Sequence, residues 1–301
     1  MKGCARSCIL LLLGWGAAAY AFYLYFVSLR DFGPPMYWAS AIAGLLVVGA
    51  IGYALGIGTA HRERKMLLDA VAGTPPEDGQ WAAVSGTIQA TSPLTAPLTG
   101  ARAVLYEYRI SRMVRARKGG SSEVVYYEGK ALAPSTIATR QGSVRLLSVP
   151  ALTDIKAEPL SSPEALKNAK QYVARTSFAI YDTSEKRTGR LEEEWTDDDG
   201  QFRQDRRHLA AGEVTDDLHF QEKHVKQGEP VCAFGLYSRE RGGLIPHPNW
   251  AKQTRIVRGD ASTVAAGLRG RMIRYFIGVA VCSGLVYGIV RLYRYQTATL
   301  P

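Results

Sequence analysis

Three long stretches without charged residues dominate the sequence, at residues 7–29, 32–60 and 275–290. A helix needs about 20 apolar residues to cross the hydrocarbon core of a bilayer, so the first two stretches are long enough. The third has 16 residues, and the arginines that flank it can extend their side chains toward the lipid headgroups. The pattern therefore predicts three transmembrane helices, with one charged segment held between the second and the third.

This arrangement divides the chain into three parts. Residues 1–60 are expected to form a two-span transmembrane hairpin, residues 61–271 a soluble domain, and residues 272–301 the third transmembrane helix with a short tail. The net charge of +10 divides into +2, +5 and +3 over these parts. A mildly basic domain suits attraction to anionic membrane lipid, although an ordinary solvated surface has the same composition. No concentrated basic stripe with stacking aromatic residues occurs, so nucleic acid is not an expected partner.

Basic residues flank the first two spans on the same side. Lys2 and Arg6 precede the first span, and Arg62, Arg64 and Lys65 follow the second. Because such residues tend to remain in the cytoplasm, we expect a multi-pass protein of a bacterial inner membrane or an organellar membrane, with its soluble domain in the cytoplasm. The alternative is a cleaved signal peptide that ends in the small residues near position 21, and it places the domain on the same side.

Glycine pairs with G-x-x-x-G spacing occur in the second and third spans. They are Gly52 with Gly56, and Gly284 with Gly288. This spacing lets helices approach closely, so the four glycines are candidates for association between transmembrane helices; chance in glycine-rich spans is the alternative. The spans contain no Asp, Glu, Lys or His, which argues against ion or proton transport.

The charged segment has the pattern of a β-rich domain with one or two helices, so the fold class is expected to be α+β. Ser162 and Pro163 predict a helix start, and that helix should end near Arg175. Residues 61–72 should continue the second span as a helix, and Asp199-Gly200 should form the turn of a hairpin over residues 190–209. Alternation of apolar and polar residues predicts a half-buried strand at residues 102–114. Further strands are expected at residues 81–90, 123–131, 143–149 and 228–237, with a hairpin tip at 115–122 and a loop at 239–249.

Catalytic and metal chemistry find little support in the residues. The run from Asp197 to Gly200 is interpreted as a turn, because Trp195 and Arg206 would occupy positions where a calcium loop needs acidic ligands. The histidines are interpreted as surface residues rather than zinc ligands; they are His208, His219 and His224. No phosphate-binding loop, hydrolase nucleophile motif or zinc-protease motif occurs. The sequence therefore predicts no catalytic residue, no metal site and no cofactor.

One motif in the charged segment is more distinctive. Ser85-Gly86-Thr87-Ile88 is followed by a turn that contains Pro93, Leu94, Pro97, Leu98 and Gly100, and then by the aromatic strand Val104-Leu105-Tyr106-Glu107-Tyr108. This motif resembles the opening of the GIDE, or beside-a-membrane, domain of membrane-anchored mitochondrial ubiquitin ligases and their bacterial relatives. Weaker similarity extends over residues 80–240, at Pro134, Ile137, Gly142-Ser143-Val144, Gly228-Glu229-Pro230-Val231 and Phe234-Gly235.

The sequence also departs from that family. Ala103, Ser135 and Thr139 stand where the family often has Cys, Phe and Asp. The resemblance implies an E3 ubiquitin ligase, but such ligases carry a RING with about eight Cys or His zinc ligands. Residues 291–301, which follow the third span, contain no Cys or His. Ubiquitin transfer therefore rests on family resemblance alone.

Two classes of function remain. The first is a membrane-anchored, non-catalytic module that binds a partner protein or the adjacent lipid surface. Its candidate contact residues lie at the hairpin tip and are Arg112, Arg115, Arg117 and Lys118, together with the motif turn. The alternative is an enzyme, either a ubiquitin-protein transferase of the E3 type or an unrecognised membrane-tethered hydrolase.

Overall fold

The computed structural model describes residues 2–29, 34–116, 120–153, 155–160, 162–181, 196–197, 199–247 and 253–299. The described chain is a mixed α+β fold, as predicted, and it divides into two compact units, Met1–Lys65 with Ala266–Pro301 and Met66–Ala265. Its helices are α1 (Lys2–Leu29), α2 (Pro34–Ala72), α3 (Pro163–Arg175) and α4 (Ala261–Thr299).

Its strands are β1 (Trp81–Ala90), β2 (Leu94–Thr95), β3 (Arg102–Ala103), β4 (Leu105–Ala116), β5 (Gly120–Leu132), β6 (Ser135–Thr139), β7 (Gly142–Leu146), β8 (Ala151–Leu152), β9 (Glu158–Leu160), β10 (Ala179–Tyr181), β11 (Phe202–His208), β12 (His219–Val225), β13 (Pro230–Ser238), β14 (Gly243–Ile245) and β15 (Arg255–Arg258).

Helices α1, α2 and α4 are each long and apolar enough to cross a membrane. Helices α2 and α4 have 39 residues each, which gives each a length of about 58 Å. That is roughly twice the thickness of a hydrocarbon core. The short third apolar stretch is therefore the middle of a longer helix, and residues 61–72 do continue the second span.

Close contacts at glycine hold these three helices together. A Cβ added to Gly44 of α2 would lie 2.6 Å from the backbone nitrogen of Ala19 in α1. Gly56 of α2 faces the ring of Tyr275 in α4, where an added Cβ would be 2.8 Å from Cε2. The other glycines of the two G-x-x-x-G pairs have no atom of the described chain within 4 Å of that position; they are Gly52, Gly284 and Gly288.

Aromatic residues near one end of the same helices form a second contact. The rings of Phe26 in α1 and Tyr293 in α4 stack with their centroids 4.5 Å apart, and Met36 of α2 is buried against them. Arg294 Nε donates a hydrogen bond of 2.6 Å to the hydroxyl of Tyr25. All three membrane-length helices therefore contribute to one packed bundle.

Five strands of the unit Met66–Ala265 close into a barrel. Around the ring, β1 pairs with β6, β6 with β7, β7 with β14, β14 with β13, and β13 again with β1. The pairs are antiparallel except β7 with β14, which is parallel. In chain order the ring runs first, second, third, fifth, fourth, first, which is the strand order of an OB-type Greek-key barrel. Strands β15 and β8 extend the sheet from β13.

Glycines allow two of these barrel pairings. A Cβ at Gly86 would collide with the carbonyl oxygen of Ala138 in β6, and one at Gly243 would lie 2.5 Å from the carbonyl oxygen of Arg145 in β7. The prediction of a loop throughout residues 239–249 is therefore wrong. The glycines of this segment favoured a loop when only the sequence was considered. In the structure, Gly243 instead permits the close parallel pairing of β14 with β7 that closes the barrel.

A second sheet of six strands has the order β10-β11-β5-β4-β12-β9. All of its strands lie in two insertions between barrel strands, one between β1 and β6 and the other between β7 and β13. Helix α3 packs on one face of this sheet through Ala169. The side chain of Ser162 caps the helix by accepting a hydrogen bond of 3.1 Å from the backbone nitrogen of Ala165, as predicted.

Most predicted strands are present, with differences at their ends. Strand β1 has the predicted bounds, and β4 and β5 form the predicted long hairpin but reach closer to its tip, where residues 117–119 are not described. The turn before β11 is present, since Gly200 N donates a hydrogen bond of 2.9 Å to Asp197 O. The partner strand predicted for β11 in that hairpin lies largely outside the described residues, and β11 pairs with β5 and β10.

Candidate binding surface

The six-stranded sheet presents two very different faces. Cross-strand register places two rows of polar side chains on the face away from α3. Arg206, Glu128, Arg109 and Gln221 form one row, and Gln204, Lys130, Glu107 and Lys223 form the other. Together with Tyr108, Gly129 and Ala157 they line a cleft of about 300 Å³. We call it the charged cleft.

Ion pairs and hydrogen bonds tie the side chains of the charged cleft to their surroundings. Glu128 Oε1 lies 3.2 Å from His208 Nε2, and Glu128 Oε2 lies 3.9 Å from Arg109 Nη2. Glu107 Oε1 accepts a hydrogen bond of 3.5 Å from Leu152 N, and Lys223 Nζ donates one of 3.4 Å to Leu152 O. Each carboxylate of the cleft is flanked in its row by a cation on either side, which stabilises the pairing of the strands.

On the opposite face, a buried carboxylate holds α3 against the sheet. Asp205 of β11 accepts hydrogen bonds from the hydroxyls of Tyr108 and Tyr172, at 2.8 and 2.7 Å. It also accepts one of 2.9 Å from Arg203 Nε. The Asp205 side chain is only 5% exposed, and a buried carboxylate is stable only when its charge is compensated in this way.

This network shifts the acid–base behaviour of its members. Burial raises the pKa of Tyr108 far above its usual range, and the negative charge of Asp205 adds to the effect. The pKa of Tyr172 is raised as well, again first by burial. Both phenols therefore remain protonated and can keep donating to Asp205 in mildly alkaline solution.

A second buried carboxylate fixes the motif turn. Glu222 of β12 accepts a hydrogen bond of 2.8 Å from the backbone nitrogen of Leu98 and another from the hydroxyl of Thr99. Asn168 of α3 donates a hydrogen bond of 3.0 Å to Leu98 O. Gly100 has φ = +70°, as its place in the motif predicted. Of the motif residues, Pro97 and Leu98 are buried, and Pro93 and Leu94 are partly buried, so most of this turn packs inside the domain.

The hairpin tip has a different character. Strand β12 pairs with β4 only as far as Ser111, and β11 pairs with β5 only as far as Tyr127. Residues 112–116 and 120–124 therefore pair only with each other among the described strands. We call these residues the ribbon tip.

The side chains of the ribbon tip are exposed. Met113 and Val114 are 47% and 41% exposed, and Arg115 is exposed next to them. Arg112 Nη2 lies 2.7 Å from Asp217 Oδ2. A hydrogen bond from Thr215, and secondarily the charge of Arg112, lowers the pKa of Asp217.

The structure does not bring the two sets of predicted contact residues together. Arg112 and Arg115 lie toward the end of β4, whereas the motif turn precedes β4. The 12 residues of β4 extend over about 40 Å. The other two predicted contact residues, Arg117 and Lys118, lie outside the described residues.

Sequence reasoning missed the charged cleft. The only signal was alternation, since Glu107 and Arg109 alternate with buried aromatic residues in β4. That alternation predicts a half-buried strand but does not reveal which strands lie beside it.

The histidines lie apart from one another. His208 is next to Glu128, His224 Nδ1 is 3.7 Å from Glu222 Oε1, and His219 is exposed at the start of β12. Within the described part of the chain, no three His, Cys, Asp or Glu side chains are grouped so that they could hold a metal ion. The chain matches no protein-family model, no curated protein and no solved structure.

Proposed function

We propose that the chain is a membrane-anchored, non-catalytic binding module whose ribbon tip contacts an anionic lipid surface. The observation that carries the proposal is the composition of the ribbon tip, where exposed Met113 and Val114 lie between the cations Arg112 and Arg115. Three helices of membrane-spanning length in the same chain support the proposal, because they would keep a bilayer near the domain.

Lipid suits this combination of side chains better than water does. Apolar side chains gain free energy when they enter the boundary between headgroups and acyl chains, and cations gain from anionic lipid, at about 1 kcal/mol for each Lys or Arg near the surface. Successive residues of a strand point to opposite faces. In the run Arg112-Met113-Val114-Arg115, each face of the ribbon therefore presents one cation and one apolar side chain.

The buried acids of the domain support a non-catalytic role. Asp205 and Glu222 are the buried carboxylates of the described residues, and each accepts hydrogen bonds that hold α3 or the motif turn in place. Their positions are explained by folding alone. The proposal places the domain in the cytoplasm, and its support is the basic residues that flank the first two spans.

Membership in the GIDE family is part of the same proposal. Its support is the motif itself, in which Gly86 and Gly100 stand at positions where the backbone requires glycine. Those requirements are structural, so the resemblance adds no catalytic residue to the domain.

The experiment uses the full chain reconstituted in nanodiscs, with an environment-sensitive fluorophore attached at position 113. We expect its emission to shift to shorter wavelength in nanodiscs that contain phosphatidylserine but not in pure phosphatidylcholine. The double variant Arg112→Glu/Arg115→Glu should abolish that shift, whereas Lys167→Glu/Lys170→Glu on α3 should preserve it. A fluorophore that stays solvated in both lipids would exclude lipid contact, and specific crosslinking of position 113 to a cytosolic protein would favour a protein partner instead.

A further inference from the structure

The charged cleft carries a surplus of positive charge. Its lining contains four cations, Arg109, Lys130, Arg206 and Lys223, and two carboxylates, Glu107 and Glu128. Around its rim, Glu123 lies 3.9 Å from Arg109 Nη1 and His208 lies beside Glu128. The lining therefore has two more cations than carboxylates, and Glu123 at the rim offsets one of those two charges.

These cations follow a diagonal path across the sheet. Arg206 and Lys130 occupy adjacent strands in different rows, and Arg109 and Lys223 continue the same zigzag on the next two strands. Diagonal neighbours in a sheet are about 7–8 Å apart at the backbone, still within reach of long side chains. One compact anionic group placed over the centre of the cleft can thus contact cations from more than one strand.

Partial burial strengthens the electrostatic interactions of the cleft. Lys130, Arg206 and Lys223 are all partly buried, so like charges repel each other through a medium of lower effective dielectric constant than water. The surplus is held in a concave site rather than on a convex surface. A volume of about 300 Å³ lies at the small end of the range for ligand pockets.

We propose that the charged cleft binds a small phosphate monoester. A phosphate monoester carries about −1.5 to −2 charges at neutral pH and presents three strong acceptor oxygens, which suits a lining with more cations than carboxylates. Arginine can bind two of those oxygens at once, and lysine contributes a compact charge. The ester is either a soluble metabolite or the headgroup of a lipid, because both present the same group. Glu123 of the ribbon tip lies at the rim of this site, but occupancy of the cleft does not depend on the function proposed for that tip.

The test measures binding to the full chain in phosphatidylcholine nanodiscs by isothermal titration calorimetry. Glycerol phosphate serves as the soluble probe, and nanodiscs that contain phosphatidic acid supply the same group on a lipid. We expect saturable binding of glycerol phosphate and none of glycerol. If phosphatidic acid in the nanodisc prevents that binding, the lipid headgroup occupies the same cleft; if it does not, the ligand is the soluble ester. Succinate bound as tightly as glycerol phosphate would overturn the assignment to phosphate.

Variants that change the net charge of the cleft in opposite directions make the result decisive. Lys130→Gln and Arg206→Gln each remove one cation, and each should weaken binding about tenfold. Glu107→Gln raises the surplus and should tighten binding, so it decides the question even if a cation variant folds poorly. Lys167→Gln, on the opposite face of the sheet, is the control and should bind normally. Unchanged affinity in both cation variants and in Glu107→Gln, or no binding by the native chain at millimolar glycerol phosphate, overturns the proposal.

Discussion

The hydroxyl of Tyr108 in β4 reaches across β5 to donate a hydrogen bond of 2.8 Å to Asp205 in β11. The residue of β5 between them is Gly129, which pairs with both. A side chain there would block the path, so the glycine, the tyrosine and the aspartate act as one unit. Since Asp205 also accepts from Tyr172 of α3, this unit positions the helix on the sheet.

Replacement of Gly129 by alanine tests that unit. The added Cβ would lie 2.6 Å from Cε1 of Tyr108 and 2.8 Å from the backbone oxygen of Gln204, and the backbone cannot move away cheaply. We expect Gly129→Ala to lower the free energy of unfolding by about 1–3 kcal/mol. Gly120→Ala, in the same strand but with no atom of the described chain within 4 Å, should change it little. Thermal unfolding of the full chain in detergent, followed by near-UV circular dichroism, compares the two.

Removal of the Tyr108 hydroxyl should have an effect that depends on pH. At neutral pH, Tyr108→Phe leaves Asp205 without one donor and should cost about 1.5–3 kcal/mol. Burial raises the pKa of native Tyr108 above the ordinary value of 10.0, so as pH rises past that value the unfolded chain ionises first. The stability that the raised pKa of Tyr108 contributes is therefore fully present below pH 10 and decreases as the pH rises above 10. Phenylalanine does not ionise, so Tyr108→Phe shows no such decrease from this position.

The stability difference between the native chain and Tyr108→Phe should consequently narrow between about pH 8 and about pH 11. Denaturant midpoints at the two pH values measure it. Tyr126→Phe is the control, because Tyr126 makes no hydrogen bond to Asp205. At neutral pH this variant should lose less stability, relative to the native chain, than Tyr108→Phe does. A difference for Tyr108→Phe that does not depend on pH would contradict the raised pKa.

The turn of the sequence motif should depend on Glu222. Glu222→Gln removes the negative charge that accepts hydrogen bonds from Leu98 N and the Thr99 hydroxyl, and the amide has one acceptor oxygen instead of two. We expect a loss of about 1–3 kcal/mol in the free energy of unfolding and faster amide exchange at Leu98, measured by hydrogen–deuterium exchange. Glu213→Gln, at an exposed position, should leave both unchanged. Normal exchange at Leu98 in Glu222→Gln would show that the turn is held by other contacts.

The membrane-length helices provide a matched pair of substitutions on one helix. Gly44→Leu places a large side chain against the backbone of Ala19 in α1, whereas Gly52→Leu enters a position with no described atom within 4 Å. We expect Gly44→Leu to lower the thermal unfolding midpoint in detergent and Gly52→Leu to preserve it. If Gly52→Leu instead disrupts a self-association detected by crosslinking, Gly52 contacts another copy of the chain.

Local signals predicted the parts of the fold that local interactions stabilise. The start of α3 follows from the cap at Ser162 and the proline after it, and β1 has the bounds predicted for it. The short strands β6, β14 and β15 were missed because three to five residues carry little periodicity. Their stability comes from pairing with strands far away in sequence, which a single sequence does not display.

In the candidate binding surface, too, local features were predicted from the sequence, whereas contacts between distant segments were not. Arg112 and Arg115 could be assigned to the tip because a long hairpin is a local feature. Glu222 resembled an ordinary charged residue between histidines, and only the approach of Leu98 from another part of the chain explains its burial. The charged cleft needs the register of four strands, so its residues could be identified as polar but not assembled into a surface.

The barrel order has a consequence for the sequence of events during synthesis. Strand β1 is complete at Ala90, but its partner β13 begins only at Pro230, so β1 leaves the ribosome long before the strand that covers one of its edges. The hairpin of β4 and β5 can pair as soon as it emerges. During that interval β1 presents an unpaired edge, which is a template for pairing with another chain. A polypeptide that stops before β13 would keep that edge open permanently. The domain is therefore most vulnerable to misassembly during synthesis before β13 is made.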